Sequence, residues 1–188
     1  MRGVAWTTRI NPTLGKREID GAKACLTKFL SDVYILNDHK KGQDAGNSPG
    51  YGITLVATTT EGVAYAVDIV CKSKEECGSV ASIPEELGKE AAELLFSQVV
   101  RGGAVSPDFE PIVLTLLALG LKNVSKVVLG VPTAVTIQAI KDIYQFTKIR
   151  FSIDHLRPGM EGYREDCNQQ MLYSCIGAGV VNLNRAIR

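Results

Sequence analysis

The stretch Gly52-Ile53-Thr54-Leu55-Val56-Ala57-Thr58-Thr59-Thr60-Glu61-Gly62-Val63-Ala64-Tyr65-Ala66-Val67-Asp68-Ile69-Val70-Cys71 decides the reading of the fold. It contains two runs rich in β-branched and aromatic residues, 52–60 and 63–71, meeting at Glu61-Gly62. Two such runs across so short a connection predict an antiparallel hairpin. Upstream, residues 2–8 read as a strand with Val4 and Trp6 on one face. Asn11-Pro12-Thr13 then opens a helix to about residue 30, with Ile19, Ala22, Leu26 and Phe29 at helical spacing. Residues 32–37 read as the next strand and 38–50 as a polar, glycine-containing loop. Downstream, a charged insert follows Cys71. Ser82 and Glu85 then form a capping-box pattern ahead of Leu87, Ala91, Leu94, Leu95 and Val99, and Gly102-Gly103 stops that helix. The order is β-α-β-β-β-α: a small mixed sheet with two helices.

A second unit begins near Ser106. The nearly unbroken apolar run over 108–119 predicts a buried helix. Residues 124–129 read as a strand, and 132–146 as a helix with Ile137, Ile140, Ile143 and Tyr144 inward. Runs 149–153 and 171–176 are expected as closing strands around a loop at Pro158-Gly159, and the unit ends near Leu183. The junction falls between Gly102 and Ser106, dividing the chain into 1–103 and 104–188. No long linker is visible, so one continuous core is the alternative.

The 188 residues are 45% hydrophobic and 22% charged, an ordinary globular composition. The longest apolar stretch, 112–121, is too short to span a bilayer. Met1-Arg2-Gly3 leads into a strand without the apolar core of a secretory signal. A soluble, intracellular chain with no membrane partner is expected. Lys plus Arg total 21 against 20 for Asp plus Glu, a net charge of +1. That is no footprint for tight, sequence-independent nucleic-acid binding, so any RNA must be held by a local patch or through another protein. Five scattered cysteines without a CxxC pair, and only two histidines, complete no zinc pattern. They read as reduced structural thiols, with Cys25 and Cys175 buried; only Cys71 and Cys77 are placed to meet in a loop.

Searches for chemistry mostly fail. There is no phosphate-binding P-loop, no G-x-S-x-G elbow and no H-E-x-x-H pair. Gly177-Ala178-Gly179 suits close backbone packing. The loop over 38–50 is the best local candidate for an anion, through His39, Lys40, Lys41 and glycines whose N–H groups can converge; the competing reading is a plain solvated loop. Gln138, Lys141, Asp142 and Gln145 form the polar side of a helix. Lys141 and Asp142 are candidates for RNA contact against the simpler reading of a solvent face. His155 beside Asp154 has the makings of a general base but no partner nucleophile. No catalytic set, metal site or cofactor is expected.

Several segments resemble the RNA-3′-phosphate-cyclase-like family. Arg2-Gly3-Val4-Ala5-Trp6-Thr7-Thr8-Arg9-Ile10-Asn11-Pro12 is similar to its R-G-[small or apolar]-A-[aromatic]-x-x-R-V-x-P stretch. Asp32-Val33-Tyr34-Ile35, Asp38-His39 and Ser48-Pro49-Gly50-Tyr51-Gly52 through Ala57 follow in the family's order. So do Pro84-Glu85-Glu86-Leu87-Gly88, Arg101-Gly102-Gly103 and Val124-Ser125-Lys126-Val127-Val128-Leu129-Gly130. The resemblance implies an α+β fold: a small mixed-sheet α/β insert domain over 1–103, then one two-helix/four-stranded-sheet repeat of the cyclase fold over 104–188. Two earlier repeats of such relatives are absent, which implies a truncated product or an incomplete gene model. The last repeat would then expose apolar surface that its siblings normally cover.

True cyclases form a histidine–AMP adduct at the start of a helix in the last repeat. The corresponding stretch, Pro132-Thr133-Ala134-Val135-Thr136-Ile137, has no histidine. The resemblance therefore implies the non-catalytic branch, whose members work in the nucleolus on 40S pre-rRNA processing and bind a GTPase of the small-subunit processome; pre-rRNA itself is left open as a further partner of this chain. The rival reading is an RNA-modifying enzyme: a pre-rRNA endonuclease using Lys141-Asp142, or a cyclase.

Overall fold

The hairpin expected from residues 52–71 is present as β3 (Gly50–Thr58) and β4 (Ala64–Val70), antiparallel from Gly52↔Val70 to Thr58↔Ala64. The Thr59 N–H donates to the Val63 carbonyl and the Gly62 N–H to the Thr59 carbonyl. Gly62 sits at φ +84°, where the lack of a Cβ removes the clash that other residues meet. The computed structural model describes residues 1–72, 82–160, 163 and 170–181, and the chain divides into two units, Met1–Val99 and Val100–Arg188.

In the first unit β3 pairs antiparallel with β1 (Arg2–Thr8), and β1 pairs in parallel with β2 (Tyr34–Lys40), so the sheet order is β2-β1-β3-β4. A parallel pair needs a crossover, and α1 (Thr13–Leu26) supplies it. With α2 (Pro84–Arg101), α1 covers the sheet: Ile19, Ala22 and Leu26 join Leu87, Ala91 and Leu95 over Ala5, Ile53, Leu55, Tyr65 and Val67. The helices touch backbone to backbone. A Cβ on Gly88 would lie 2.1 Å from the Glu18 carbonyl oxygen, and one on Gly21 would lie 2.2 Å from that of Glu85.

The β-α-β-β-β-α order holds, with corrections. Val4 and Trp6 share one face of β1 as expected; it is the outer one, because the core face carries Ala5 and Thr7, both fully buried. The first helix stops at Leu26 and not near residue 30, leaving Phe29 75% exposed. The chain must turn there because Asp32 is held at the start of β1, where its carboxylate accepts from Arg2 and its carbonyl from the Met1 amino group. Asp38, His39 and Lys40 belong to β2 and not to a loop. β1 offers them backbone partners in the register Trp6↔Asp38, Thr7↔His39 and Thr8↔Lys40, and that ladder outweighs their polar composition. The Glu85 carboxylate of the expected capping box is taken up by Arg17 at 2.6 and 2.8 Å. Most of the charged insert, with Cys77, lies outside the described residues.

In the second unit β5 (Val124–Leu129), β7 (Met171–Ile176) and β6 (Ser152–His155) form an antiparallel sheet in the order β5-β7-β6. Among the described residues this sheet has three strands, one fewer than expected. α3 (Glu110–Leu119) and α4 (Ala134–Thr147) complete a core of Leu114, Ala118, Leu129, Ile143 and Tyr173. The strand expected at 149–153 begins only at Ser152, because Ile149 and Phe151 pack into the core ahead of it.

α3 is not the buried helix its apolar run suggests: Leu114 and Ala118 are buried, but Ile112 is 57% and Leu116 64% exposed. Successive residues rotate by about 100° around a helix, so one face meets the sheet whatever the composition of the others. On α4, Ile143 is buried and Ile140 packs on the core, whereas Ile137 and Tyr144 are exposed and Phe146 is 88% exposed. Gly177 is needed for close packing, since a Cβ would lie 2.3 Å from the Leu121 carbonyl oxygen. Cys25, Cys71 and Cys175 are free thiols; Cys175 is buried and Cys25 half-buried against the first core. Among the described residues no helix is long and apolar enough to cross a membrane.

Candidate functional site

Arg101 ends α2, and Gly103 follows at φ +107°. A Cβ on Gly103 would lie 2.8 Å from the Gly130 nitrogen, and one on Gly130 would lie 2.7 Å from the Arg101 side chain. These two glycines let the guanidinium lie against the β5–α4 connection. Arg101 donates to the Val131 carbonyl through Nε (3.1 Å) and Nη2, and Nη2 also meets Glu110 Oε1 at 2.9 Å.

Glu110, the first residue of α3, is 1% exposed. Its second oxygen accepts from the hydroxyl of Thr136, itself fully buried. Thr133 caps α4: its hydroxyl accepts from the Thr136 N–H at 3.1 Å and lies 2.7 Å from the Thr136 hydroxyl. Since the Thr136 proton points to Glu110, the Thr133 proton must point to Thr136. A directed chain, Thr133 to Thr136 to Glu110, thus ends on a carboxylate held by Arg101. Burial pushes the Glu110 carboxyl above the usual carboxylate range, with Thr136 and Arg101 pulling the other way. Burial, reinforced by the Glu110 charge, also pushes the Tyr173 hydroxyl up to about 12.

The arrangement fastens the start of α4 and leaves little for chemistry. Both threonine hydroxyls are occupied. The exposed side chains around this helix start, Val131, Val135 and Ile137, are aliphatic and can neither carry a proton nor attack phosphorus.

The residues singled out from sequence are dispersed. His39 Nδ1 lies 2.8 Å from the Thr7 hydroxyl. Lys40 is 3.5 Å from the Asp38 carboxylate, so much of its charge is answered locally. Lys41 is exposed just ahead of a short 3-10 turn, Gly42–Ala45, which is braced by Arg9 donating to Gly46 at 2.6 Å. On α4, Asp142 accepts from Gln138 at 2.8 Å and lines a hollow against α3 with Ala118, Leu119 and Phe146. Lys141 lines a different hollow with Tyr144, Arg150 and Phe151. The structure does not bring Lys141 and Asp142 into one site. His155 is exposed on β6, while Asp154 accepts from Ser152 at 3.0 Å. Among the described residues no group of histidine, cysteine and carboxylate side chains is placed to hold a metal ion.

Sequence reading missed the Glu110–Thr136 pairing. One signal was present: a T-x-x-T spacing at the expected start of a helix, the pattern of a hydroxyl cap. Glu110 lies within the apolar run over 108–119, and nothing local to it in the sequence points to a partner 26 residues away.

Residues 1–99 match the family model for the RNA 3′-terminal phosphate cyclase (RTC) insert domain, the same residues that form the first unit. The chain belongs to the RNA 3′-terminal phosphate cyclase family. Within it, a probable RNA 3′-terminal phosphate cyclase-like protein of Drosophila melanogaster is 36% identical over all of this chain and 49% of its own length. The human RNA 3′-terminal phosphate cyclase-like protein is likewise 36% identical, with 49% of its length covered. An rRNA processing protein of Schizosaccharomyces pombe is 33% identical over all of this chain and 48% of its own length. The chain spans about half the length of the curated relatives it matches. Its α+β class and mixed-sheet first unit agree with this membership.

Proposed function

We propose that this chain is a ribosome-biogenesis factor that works in small-subunit pre-rRNA processing and has no cyclase activity. One observation carries the reading. At the start of α4, where the family resemblance puts the adenylylated histidine of true cyclases, Thr133 and Thr136 are committed to Glu110 and Arg101, and the exposed side chains are aliphatic. No imidazole stands there to form a phosphoramidate: His39 lies on β2 and His155 on β6. The name of the fission-yeast relative, an rRNA processing protein, and the cyclase-like names of the others support the biological setting.

The role is protein docking in the nucleolus: the chain binds a GTPase of the small-subunit processome and contacts pre-rRNA, with no cofactor and no membrane. A net charge of +1 fits a docking protein with a local RNA contact better than a free-standing RNA binder. The second unit serves as the C-terminal repeat of the cyclase fold.

Incubation with ATP labelled at the α-phosphate should leave no label on the chain after denaturing electrophoresis; a labelled band would overturn the reading. Mixed with the processome GTPase, the chain should co-elute as a stoichiometric complex on size exclusion. Separate elution of a folded chain would remove the docking role.

A further inference from the structure

We infer that the C-terminal end of α4 is a contact site for single-stranded RNA, with Tyr144 and Arg150 as a stacking platform and Lys141 and Lys148 as phosphate contacts. This deepens the RNA part of the proposed function and rests on it.

Tyr144 is 39% exposed, and two cations attend its ring. Lys148 Nζ lies 5.7 Å and the Arg150 guanidinium carbon 5.4 Å from the ring centroid, and Arg150 Nη2 is 3.4 Å from the Tyr144 hydroxyl. Cations at such distances are attracted to the electron-rich ring face. Tyr144 and Arg150, together with Lys141, border a hollow of about 410 Å³ that Ile140, Ile149 and Phe151 also line. Among the described residues Lys141, Lys148 and Arg150 form no ion pair with a carboxylate. The nearest acid in sequence, Asp142, is bonded to Gln138 and lines the hollow on the α3 side.

The backbone at Lys148 is a second, independent observation. It caps α4 in the left-handed conformation, φ +61° and ψ 12°. That position favours glycine, because any Cβ is crowded there. A lysine held in this strained conformation keeps a long cationic side chain over Tyr144, which glycine would not supply, and such outliers gather where function needs them.

The chemistry selects the ligand. An acidic protein segment would use the three cations and gain little from an exposed tyrosine ring. A nucleotide uses both: its base stacks on the ring or on the planar guanidinium, and its phosphates meet the lysines. Duplex RNA hides its base faces, so the ligand is single-stranded. With a net charge of only +1, the chain needs such a local concentration of cations to hold RNA at all.

The test is fluorescence anisotropy of a labelled oligouridylate of about twelve nucleotides, titrated with the full 188-residue chain. Tyr144→Ala should raise Kd by roughly 5- to 100-fold, the range for loss of one stacking contact. The double variant K141Q/K148G, which removes the two phosphate contacts, should lower the slope of log affinity against log salt by about 1.4, at about 0.7 per cation for a single strand. All three residues are exposed, and glycine is the residue that the Lys148 backbone prefers, so the variants keep the fold, as circular dichroism will verify. Absence of oligonucleotide binding, or variants that bind as the parent does, would overturn the inference. So would a duplex that competes equally. A polyglutamate peptide that displaces the oligonucleotide and is indifferent to Tyr144→Ala would reassign the patch to an acidic protein. A chain that binds the GTPase but not the oligonucleotide refutes this inference alone and leaves the docking role standing.

Discussion

The guanidinium of Arg101 and the carboxylate of Glu110 lie nine residues apart in the chain and 2.9 Å apart in space, and through Thr136 the pair fastens α3 to the start of α4. Glu110 is almost wholly buried, and Arg101 keeps 16% of its side chain exposed. Such a pair contributes little net stability against an apolar replacement, yet breaking one side strands a charge. Among the described residues of the second unit, this contact ties the start of α3 to the start of α4.

Glu110→Ala should therefore destabilise the second unit by about 3–5 kcal/mol, the usual consequence of leaving a buried partner uncompensated. Glu110→Gln, which keeps an acceptor for Thr136, should cost less. Urea unfolding followed by tyrosine fluorescence would measure both. A Glu110→Ala effect no larger than that of an exposed substitution would show that Arg101 finds water instead.

Glu18 is fully buried, and neither carboxylate oxygen has a hydrogen-bond partner among the described residues. Its neighbour Arg17 is turned to Glu85, and Tyr51 feels the Glu18 charge. Burial pushes the Glu18 carboxyl up to about 8 from 4.5. A folded value above the unfolded one means that stability is fully present below about pH 4.5 and is lost as pH rises toward 8. The slope is about 1.4 kcal/mol per pH unit, flattening beyond pH 8. Glu18→Gln should raise stability at pH 8 by a few kcal/mol and flatten this dependence. Thermal melts of both proteins at pH 5 and pH 8 decide it; parallel pH profiles would refute it.

Lys148→Gly should stabilise the fold by roughly 1 kcal/mol, because glycine occupies the left-handed cap without a Cβ clash. The melting temperature should rise by a few degrees. A fall would mean that the lysine stem contributes more packing than its backbone strain costs.

Gly88→Ala inside α2 would ordinarily stabilise a helix by about 1 kcal/mol. Here the added methyl would lie 2.1 Å from the Glu18 carbonyl oxygen, in backbone that cannot step aside cheaply. The sign should reverse, with a loss of about 2–3 kcal/mol from overpacking. Gly62→Ala is the control: its site is open, so only the positive φ should count, at about 1 kcal/mol. Equal losses at the two positions would argue against close helix contact.

How far the sequence carried depends on the range of the interaction concerned. The β3–β4 hairpin, the crossover through α1 and the two-helix count followed from local periodicity and turn residues, which act over a few positions. The cyclase-family membership rested on motifs in order along the whole chain. The missing histidine at the start of α4 was likewise visible in the letters alone.

Only the tertiary structure decided what depended on distant partners. His39 became strand because β1 lies beside it in parallel, 32 residues away in sequence. Lys141 and Asp142, adjacent in sequence, were parted because neighbouring residues on a helix face different directions. Arg101 stood in a family motif, Glu110 in an apolar helical run and Thr136 at the start of another helix, and they became one network when α3 and α4 packed together. Apolar letters determined that α3 would be a helix; which of its faces the sheet covers was settled only by packing.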